Sequence, residues 1–370
     1  MEKFYLAALA QHFTYRSGKA VEELIRVHGS AQKAHEAGPR GIEAIHPSEK
    51  LKTAYQAMYD KSLPQAIQRY SAEHNIALVT KEEATYPHLL KEVYNPPLVL
   101  YVKGNPLSSG KALAIVGSRK ATYYGLEVAK SFAKTIARDN ITIVSGGAYG
   151  IDAAAHEGAL AVGGSTIVVL GGGFSNLYPA SHKRLFHQVL AKGSLVTEYA
   201  PWEEPLPRNF PQRNRIIVGL CSGVLVVEGA LKSGAMITAS LAVSENRELY
   251  VVPGNINSPT SKGTNGLIKD GAHVVDSPED ILLDYLSPQH NYLGKAQIDL
   301  FEPELEHCTD EEKSIFQLIA KTDLITLEDI IVKLDLTMSQ VSVILLELQL
   351  KGKIMREANN RYRVIRGGAL

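Results

Sequence analysis

The chain has 370 residues, and its 39 Lys and Arg residues balance its 39 Asp and Glu residues, so the formal net charge is zero. This length predicts two or three domains, and a composition of 45% hydrophobic and 21% charged residues is typical of a globular protein. The charge balance excludes a general attraction to polyanions, so a nucleic-acid site would have to be a local cluster of cations.

The two cysteines, Cys221 and Cys308, stand far apart and match no metal-ligand spacing. Such usage is typical of a reducing compartment. Met1 leads into a polar amphipathic segment without a signal-peptide core, and no apolar run approaches the length of a membrane span. We therefore expect a cytoplasmic protein that has no membrane partner.

The first segment, residues 1–75, predicts a small bundle of short helices, which we interpret as a SAM-like domain. Apolar residues recur there at helical spacing, and breaks such as Gly29-Ser30 and residues 38–41 separate the helices. Packing or protein interaction is the favoured role of this bundle. Helix-hairpin-helix-like contact with DNA is the alternative.

Residues 76–288 predict an α/β domain with an extended Rossmann-like, doubly wound parallel sheet. Two strand-like segments come first, at 76–79 and 98–102. Six short β-branched runs then alternate with helical stretches, and they are apolar on both faces, as buried parallel strands are. The lengths between them suit right-handed crossovers. These runs are 113–116, 141–144, 166–170, 195–197, 224–227 and 249–252.

The chain closes with a predicted linker, residues 289–306, and a predicted winged-helix domain, residues 307–370. Two strand-like segments around Asn359-Asn360 predict the wing. The predicted recognition helix begins without charge between Thr337 and Ser342. This favours protein interaction or auxiliary nucleic-acid contact over sequence-specific duplex reading. Reciprocal capping patterns open two helices, Thr326-x-x-Asp329 and Thr337-x-x-Gln340.

Glycine-rich turns follow several of the predicted parallel strands. Because the carboxyl ends of such strands meet at one edge of a sheet, we expect the turns to present bare backbone N–H groups and helix N-termini to phosphates. Tight packing between strand and helix explains some of the glycines. The turns begin with Gly117-Ser118-Arg119, Ser145-Gly146-Gly147, Gly171-Gly172-Gly173, Glu228-Gly229 and Pro253-Gly254.

Residues 207–215 concentrate three arginines, several amide side chains and the Phe210 ring between prolines. We expect those prolines to exclude a regular helix. Guanidinium groups match phosphate oxygens and an aromatic face can stack on a base, so nucleic acid is the first candidate ligand. The alternative is a surface loop whose arginines are salt-bridged to neighbours. The cations expected to be mobile are Arg119, Lys183, Arg208, Arg213, Arg215 and Lys232.

Motifs of nucleotide chemistry are missing from the sequence. There is no G-x-x-x-x-G-K-[ST] segment and no G-x-G-x-x-G after the first parallel strand, so we expect no ATPase activity and no cofactor. Asp152 and His156 share a helical face without a third metal ligand, which favours capping of the helix N-terminus by Asp152 and packing by His156 over metal binding. Glu228 is interpreted as a structural acid paired with an arginine rather than as a catalytic carboxylate.

A series of motifs runs in order through the whole α/β domain. It comprises Gly117-Ser118-Arg119 with Tyr124-Gly125, residues 145–152 with Ala155-His156, Tyr178-Pro179, residues 210–215, Glu228 with Ser233-Gly234, Pro253-Gly254 and residues 263–268. Together these motifs resemble the DNA-processing protein A (DprA/Smf) family, and the terminal segments resemble its three-domain members. One departure is Ala235-Met236, where the family has a small polar residue and leucine.

The resemblance implies a non-enzymatic recombination mediator that binds and protects incoming single-stranded DNA and loads the RecA recombinase during natural transformation. It also implies a homodimer formed through the Rossmann-like domain. Carried over by motif, the side chains along the DNA path are Arg119, Lys183, Arg208, Phe210, Arg213, Asn214 and Lys232, and the backbone donors are Gly117, Ser118, Gly146 and Gly147. Arg215 completes the predicted DNA-binding set.

Two other functions stay open at the level of the sequence. One is a nucleotide hydrolase that resembles the lysine-decarboxylase-like phosphoribohydrolases. Its P-G-G-x-G-T-x-x-E segment is not supplied by Pro253-Gly254-Asn255 or by Glu228-Gly229. The other is a duplex-binding regulator that acts through the winged helix.

Overall fold

The structure is a computed structural model, and it describes residues 1–13, 18–107, 110–286, 309–322, 325–334, 336–351, 353–357 and 361–364. The chain forms two compact units, Met1–His290 and Asn291–Leu370. The predicted linker, residues 289–306, lies outside the described residues. The domain boundaries predicted near residues 75 and 288 stay predictions.

The N-terminal segment is helical, as its sequence predicts. Serine side chains cap two of its helices, because Ser30 accepts a hydrogen bond from Lys33 N and Ser48 accepts one from Leu51 N. A 3-10 turn covers Ile42–Ile45. The helices are α1 (Glu2–His12), α2 (Gly18–His28), α3 (Ala31–Glu36), α4 (Gly38–Gly41), α5 (Glu49–Met58) and α6 (Leu63–Glu73).

A mostly parallel sheet of nine strands follows within the described residues. The strands are β1 (Ile76–Thr80), β2 (Val99–Gly104), β3 (Ala112–Val116), β4 (Thr142–Ser145), β5 (Thr166–Val169), β6 (Ser194–Thr197), β7 (Gly223–Val226), β8 (Glu248–Val251) and β9 (His273–Val274). Their order is β1-β2-β6-β5-β4-β3-β7-β8-β9. The predicted doubly wound sheet is confirmed, and the two leading strands, β1 and β2, form an antiparallel edge on it.

Helices cover both faces of this sheet. They are α7 (His88–Lys91), α8 (Tyr123–Arg138), α9 (Ile151–Ala161), α10 (Lys183–Leu190), α11 (Asn209–Gly219), α12 (Gly234–Ser244), α13 (Lys262–Lys269) and α14 (Pro278–Leu286), with 3-10 turns at Phe174–Asn176 and Ala180–His182. Two hydrophobic clusters lie on opposite faces of the central strand β3, because Ala114 belongs to one and Leu113 to the other. This alternation is that of a strand buried on both sides.

The expectation that prolines exclude a helix from residues 207–215 is wrong. Helix α11 begins at Asn209 and contains Pro211 as its third residue. The first four N–H groups of a helix have no acceptor within the helix, so a proline there loses no hydrogen bond. The cationic segment is therefore the start of a helix whose later turns are buried in the domain.

The N-terminal helices pack on the sheet. Leu9, Leu24 and Ile67, which are fully buried, belong to the same hydrophobic cluster as Val168 of β5 and Leu195 of β6. Burial of this kind is the main source of stability for short helices. The first unit is therefore a continuous packed body from α1 to α14.

The second unit has the predicted winged-helix pattern. Its elements are α15 (Asp310–Thr322), β10 (Ile325–Thr326), α16 (Leu327–Leu334), α17 (Met338–Leu350), β11 (Ile354–Glu357) and β12 (Arg361–Val364), and its strand order is β10-β12-β11. Thr337 and Gln340 form the predicted capping box, and Thr326 Oγ1 accepts a hydrogen bond from Asp329 N. Strands β11 and β12 pair as the predicted wing.

In the parts of the chain that the structure describes, no helix combines the length and the hydrophobicity needed to cross a membrane.

Candidate nucleic-acid interface

A groove of about 810 Å³ opens at the carboxyl edge of the sheet, over the ends of β3, β4 and β7. Segments that follow six strands, β3 to β8, line it, and ligands bind at this edge in open α/β sheets. Its lining includes these predicted residues: Gly117, Ser118, Arg119, Phe210, Arg213 and Asn214. The other predicted residues lie outside the lining among the described residues: Gly146, Gly147, Lys183, Arg208, Arg215 and Lys232.

The exposed cation Arg119 and the half-buried ring of Phe210 lie together in the groove. The guanidinium carbon of Arg119 is 5.3 Å from the centre of the Phe210 ring, within the range of a cation–π contact. The ring also packs against Gly171, where an added Cβ would come within 2.9 Å of Phe210 Cδ1. The ring centre of Tyr178 is 5.6 Å away. Phe210 is thus held in place beside a charge that stays accessible to solvent.

Arg213 reaches the groove from a buried position and is not a mobile cation, so that expectation is wrong. Only 4% of it is exposed, and its Nη1 donates to Gly146 O at 2.8 Å and to Val169 O. Burial lowers the pKa of Arg213 to about 10, against the opposing effect of Asp152. The side chain is therefore charged near neutral pH, and it joins the turn after β4 to the end of β5.

The glycines after β4 serve packing rather than phosphate binding. Gly146 N donates to Asp152 Oδ2 at 3.1 Å, so this N–H is not free for a phosphate as predicted. A Cβ on Gly146 would come within 2.4 Å of Arg213 Nη2. Gly147 has a φ of +65°, and a Cβ there would meet Phe186 at 2.8 Å. The tight-packing reading of these glycines is the one the geometry supports.

Arg215 points away from the groove. Its Nη2 donates to Glu198 Oε2 at 2.6 Å, and the two side chains are only 11% and 4% exposed. Burial raises the pKa of Glu198, and the guanidinium of Arg215 opposes that rise. The prediction that Arg215 is a mobile DNA-binding cation is wrong, because the side chain is enclosed and paired with a carboxylate.

Three further predicted cations flank the groove without lining it. Arg208 precedes α11, Lys183 begins α10 and Lys232 lies in the turn before α12. All three are exposed, and none forms an ion pair among the described residues. They belong to turns at the carboxyl edge of the sheet, so they widen the region that carries positive charge.

Glu228 has a structural partner, but it is not an arginine. Its carboxylate accepts from Thr122 N at 2.9 Å and from Thr122 Oγ1 at 2.5 Å, and it packs against Gly125. Glu228 therefore fixes the start of α8, and the predicted pairing with an arginine is wrong. Glu228 is not among the described residues that line the groove.

Asp152 and His156 have separate structural roles. Asp152 accepts hydrogen bonds from Gly146 N and Ala148 N, so it fixes the turn that precedes α9. The predicted capping of the helix N-terminus by Asp152 is wrong, because the N-cap of α9 is Gly150 and none of the described side chains caps the helix. The fully buried His156 bonds Thr166 Oγ1 at 2.7 Å, and burial lowers its pKa to about 3. Packing by His156 is confirmed. Among the described residues, no three potential ligands converge on a possible metal site.

The groove also contains residues that the sequence did not indicate as DNA-binding. Lys120, which is exposed, follows Arg119 directly, and Tyr178 belongs to the Tyr-Pro motif. Ser233 stands before α12, and its Oγ is buried without a partner among the described residues. In the sequence, Lys120 could have been indicated only by its position next to Arg119, and Ser233 only by its position next to Gly234.

These features define an extended Rossmann-like protein with an edge groove that carries cations and an aromatic ring, followed by a winged-helix unit. The family model for DNA recombination-mediator protein A matches residues 77–286, and that for the DprA winged helix domain matches residues 301–360. The chain belongs to the DprA/Smf family.

Individual relatives agree with this assignment. DNA processing protein DprA of Bacillus subtilis is 40% identical over 233 residues, which are 62% of this chain and 78% of that protein. Protein Smf of Escherichia coli is 37% identical over 298 residues, 76% of this chain and 78% of that protein.

Two solved structures are similar in fold and sequence. DprA from Streptococcus pneumoniae superposes with a TM-score of 0.65 at 32% identity, covering 77% of this chain and 98% of that chain. DprA from Helicobacter pylori superposes with a TM-score of 0.53 at 29% identity, covering 58% of this chain and 99% of that chain. The Helicobacter structure describes a single-stranded DNA binding mode.

Proposed function

We propose that this protein binds single-stranded DNA in the edge groove, without enzymatic activity, and acts as a recombination mediator. The contact between Arg119 and Phe210 carries the proposal, because it joins a solvent-accessible cation to an aromatic ring at 5.3 Å. The cation can bind a phosphate, and the ring can stack on an unpaired base. The single-stranded DNA binding mode of the Helicobacter pylori relative supports the same ligand.

In this proposal, the exposed and the buried side chains of the groove have different roles. Exposed cations such as Arg119 and Lys120 meet the phosphates, and Lys183, Arg208 and Lys232 extend the positive surface. The turn Gly117-Ser118 supplies groove-lining backbone to the same strand. Buried Arg213 holds the floor of the site. Because such contacts read the backbone and the face of any base, binding is tolerant of sequence.

Binding is tested by fluorescence anisotropy with a labelled oligonucleotide, titrated in single-stranded and duplex form over a range of salt concentrations. We expect a preference for the single strand and an affinity that falls steeply with salt, because phosphate contacts release counterions. Equal affinity for both forms, or an affinity independent of salt, would contradict the proposal. Removal of residues 307–370 separates this function from duplex binding by the winged helix, since groove binding survives that deletion.

The finer part of the proposal is that the protein protects incoming DNA and loads RecA during natural transformation, as a homodimer formed through the Rossmann-like domain. The family membership supports this step. It is tested with single-stranded DNA that is already coated by a single-strand binding protein: addition of the chain should speed RecA filament formation on that DNA. Light scattering over a concentration series measures the mass of the assembly in the same buffer.

A further inference from the structure

The turns after β4 and β5 place two exposed tyrosines at this edge of the sheet. Tyr178 is 46% exposed and lines the groove itself, and Tyr149 is 44% exposed in the turn after β4. Large aromatic side chains that stay half in solvent at a binding edge have area available for a partner. Both side chains lie largely outside the core, so core packing does not explain why tyrosines occupy these two positions.

Both rings are held in fixed positions. Tyr178 lies 5.6 Å from Phe210, centre to centre. The hydroxyl of Tyr149 is 3.0 Å from Ser181 Oγ, and its ring meets the ring of His182 edge-on at 4.9 Å. His182 Nδ1 donates to Gly147 O at 3.0 Å, which ties the turn to the end of β4. Such rings keep a free face at low entropic cost, which is what stacking on a base requires.

The charge on this part of the chain favours a polyanion. Residues 158–197 contain no Asp or Glu, whereas Lys183 and Arg184 follow His182 directly. Both cations are exposed, and within the described residues neither forms an ion pair. A cationic helix start in a stretch of sequence without acids, next to exposed aromatic rings, matches the pattern of a single-stranded nucleic-acid track.

We propose that single-stranded DNA leaves the groove over Tyr178, stacks on Tyr149 and reaches Lys183 and Arg184, which together form a second segment of the binding site. This inference rests on the proposed function of the groove. It adds Tyr149, Tyr178 and Arg184 to the DNA-contacting residues, and it gives the strand a direction at the sheet edge: from Phe210 toward the start of α10.

The test compares oligo-dT of about 6 nucleotides, which fits the groove alone, with oligo-dT of about 25 nucleotides, which reaches the second segment. The variants are Tyr149→Ala, and Lys183→Ala with Arg184→Ala; Tyr178 is left unchanged because it lines the groove. We expect Tyr149→Ala to weaken binding of the long oligonucleotide about fivefold or more, because a stacked base contributes roughly 1–3 kcal/mol. The Lys183 and Arg184 pair should weaken it about tenfold or more, because its contacts to phosphates are lost. The short oligonucleotide should lose no more than about threefold.

Matched controls lie at the opposite edge of the sheet. Tyr94 is 84% exposed beside Glu245 at the end of α12, so Tyr94→Ala removes a tyrosine without touching the track. Lys192 lies in the same acid-free stretch, but after the end of α10. Lys192→Ala and Tyr94→Ala should leave both oligonucleotides bound as tightly as in the wild type. Thermal unfolding of every variant checks that the fold is retained.

The outcomes separate this inference from the function on which it rests. If the wild type binds neither oligonucleotide, the groove function itself fails. If the wild type binds both and these variants bind the long oligonucleotide with unchanged affinity, the second segment is wrong and the groove stands. An equal loss for both lengths would also overturn it, because the substituted residues would then belong to the groove. Photocrosslinking of 5-iodouracil in the long oligonucleotide to Tyr149 of the wild type gives a readout that needs no variant.

Discussion

Arg119 lies over the ring of Phe210, with its guanidinium carbon 5.3 Å from the ring centre. The two side chains come from different crossovers, one after β3 and one at the start of α11, so the sheet topology alone brings them together. A strand that enters the groove meets the charge and the ring as one unit. The consequences for binding can be separated by substitution at each position.

Arg119→Ala should weaken binding of single-stranded DNA by a similar factor for every sequence, because the contact is to phosphate. The slope of log affinity against log salt should become shallower by about 1. The affinity of Arg119→Lys should lie between those of the wild type and Arg119→Ala, since lysine keeps the charge but lacks the planar guanidinium group. Anisotropy titrations measure both quantities. Arg138→Ala, an exposed arginine at the end of α8, is the control, and wild-type affinity in Arg119→Ala would remove this residue from the site.

Phe210→Ala should cost roughly 1–3 kcal/mol of binding free energy if the ring stacks on a base. Phe210→Tyr should retain most of the affinity, because the ring and its packing against Gly171 are preserved. The salt slope should not change in either variant, which distinguishes stacking from a phosphate contact. An unchanged dissociation constant in Phe210→Ala would contradict a stacking role.

Gly146→Ala should destabilise the first unit by roughly 1–3 kcal/mol, because overpacking forces buried groups to move. The new Cβ would come within 2.4 Å of Arg213 Nη2, and Arg213 is held by two carbonyls. Denaturant unfolding measures the loss. Gly266→Ala in helix α13 is the matched control, since no atom lies within 4 Å of the Cβ position there, and it should be neutral or slightly stabilising. Equal stabilities for the two variants would argue against a tight packing role for Gly146.

Glu198→Ala should lower the free energy of unfolding by about 3–5 kcal/mol, because it leaves the enclosed charge of Arg215 unpaired. Replacement of both partners, Glu198→Leu with Arg215→Met, should recover much of that loss. The double variant should bind single-stranded DNA with wild-type affinity, since Arg215 does not face the groove. A large loss of affinity in a folded double variant would return Arg215 to the binding site.

The helical segment should lose stability in mild acid because of His12. Its Nε2 accepts from Asp60 N at 3.2 Å, and His35 stacks on it with ring centres 5.4 Å apart, while Tyr55 and Tyr59 pack around it. Burial, reinforced by His35, lowers the pKa of His12 to about 4. In the unfolded chain its pKa is near the ordinary value of about 6.5.

Between pH 6.5 and 4 the unfolded state therefore binds more protons than the folded state, so stability falls as the pH falls through this window. The contribution of His12 is at most roughly 3 kcal/mol. His12→Gln keeps an acceptor for Asp60 N but cannot titrate, so its unfolding temperature should fall less between pH 7 and pH 5 than that of the wild type. Parallel pH profiles for the two proteins would exclude His12 as the source.

The sheet was predictable because buried parallel strands carry a strong local signal. All six β-branched runs became parallel strands, whereas β9, with two residues, is too short for any pattern. Helix α11 was missed because the rule against proline was applied without regard to position, although Pro211 lies in the first turn.

The chemistry of the site was predictable in type but not in detail. Arg213 and Arg215 are two residues apart, so on a helix they point about 200° away from each other, and only one can reach the groove. Without the helix this divergence is not visible in the sequence. The partner of Glu228 could likewise not be predicted from the sequence, because Thr122 comes from a different crossover.

The cluster that joins α1, α2 and α6 to β5 and β6 has a consequence for how the chain comes apart. A protease that cuts between Glu73 and Ile76 would leave two fragments still bound through their apolar faces. The nicked protein should run as a single species on a sizing column and separate only in denaturant. Synthesis of residues 76–286 alone would leave that apolar face uncovered, and the shortened polypeptide should precipitate unless the missing helices are supplied in trans.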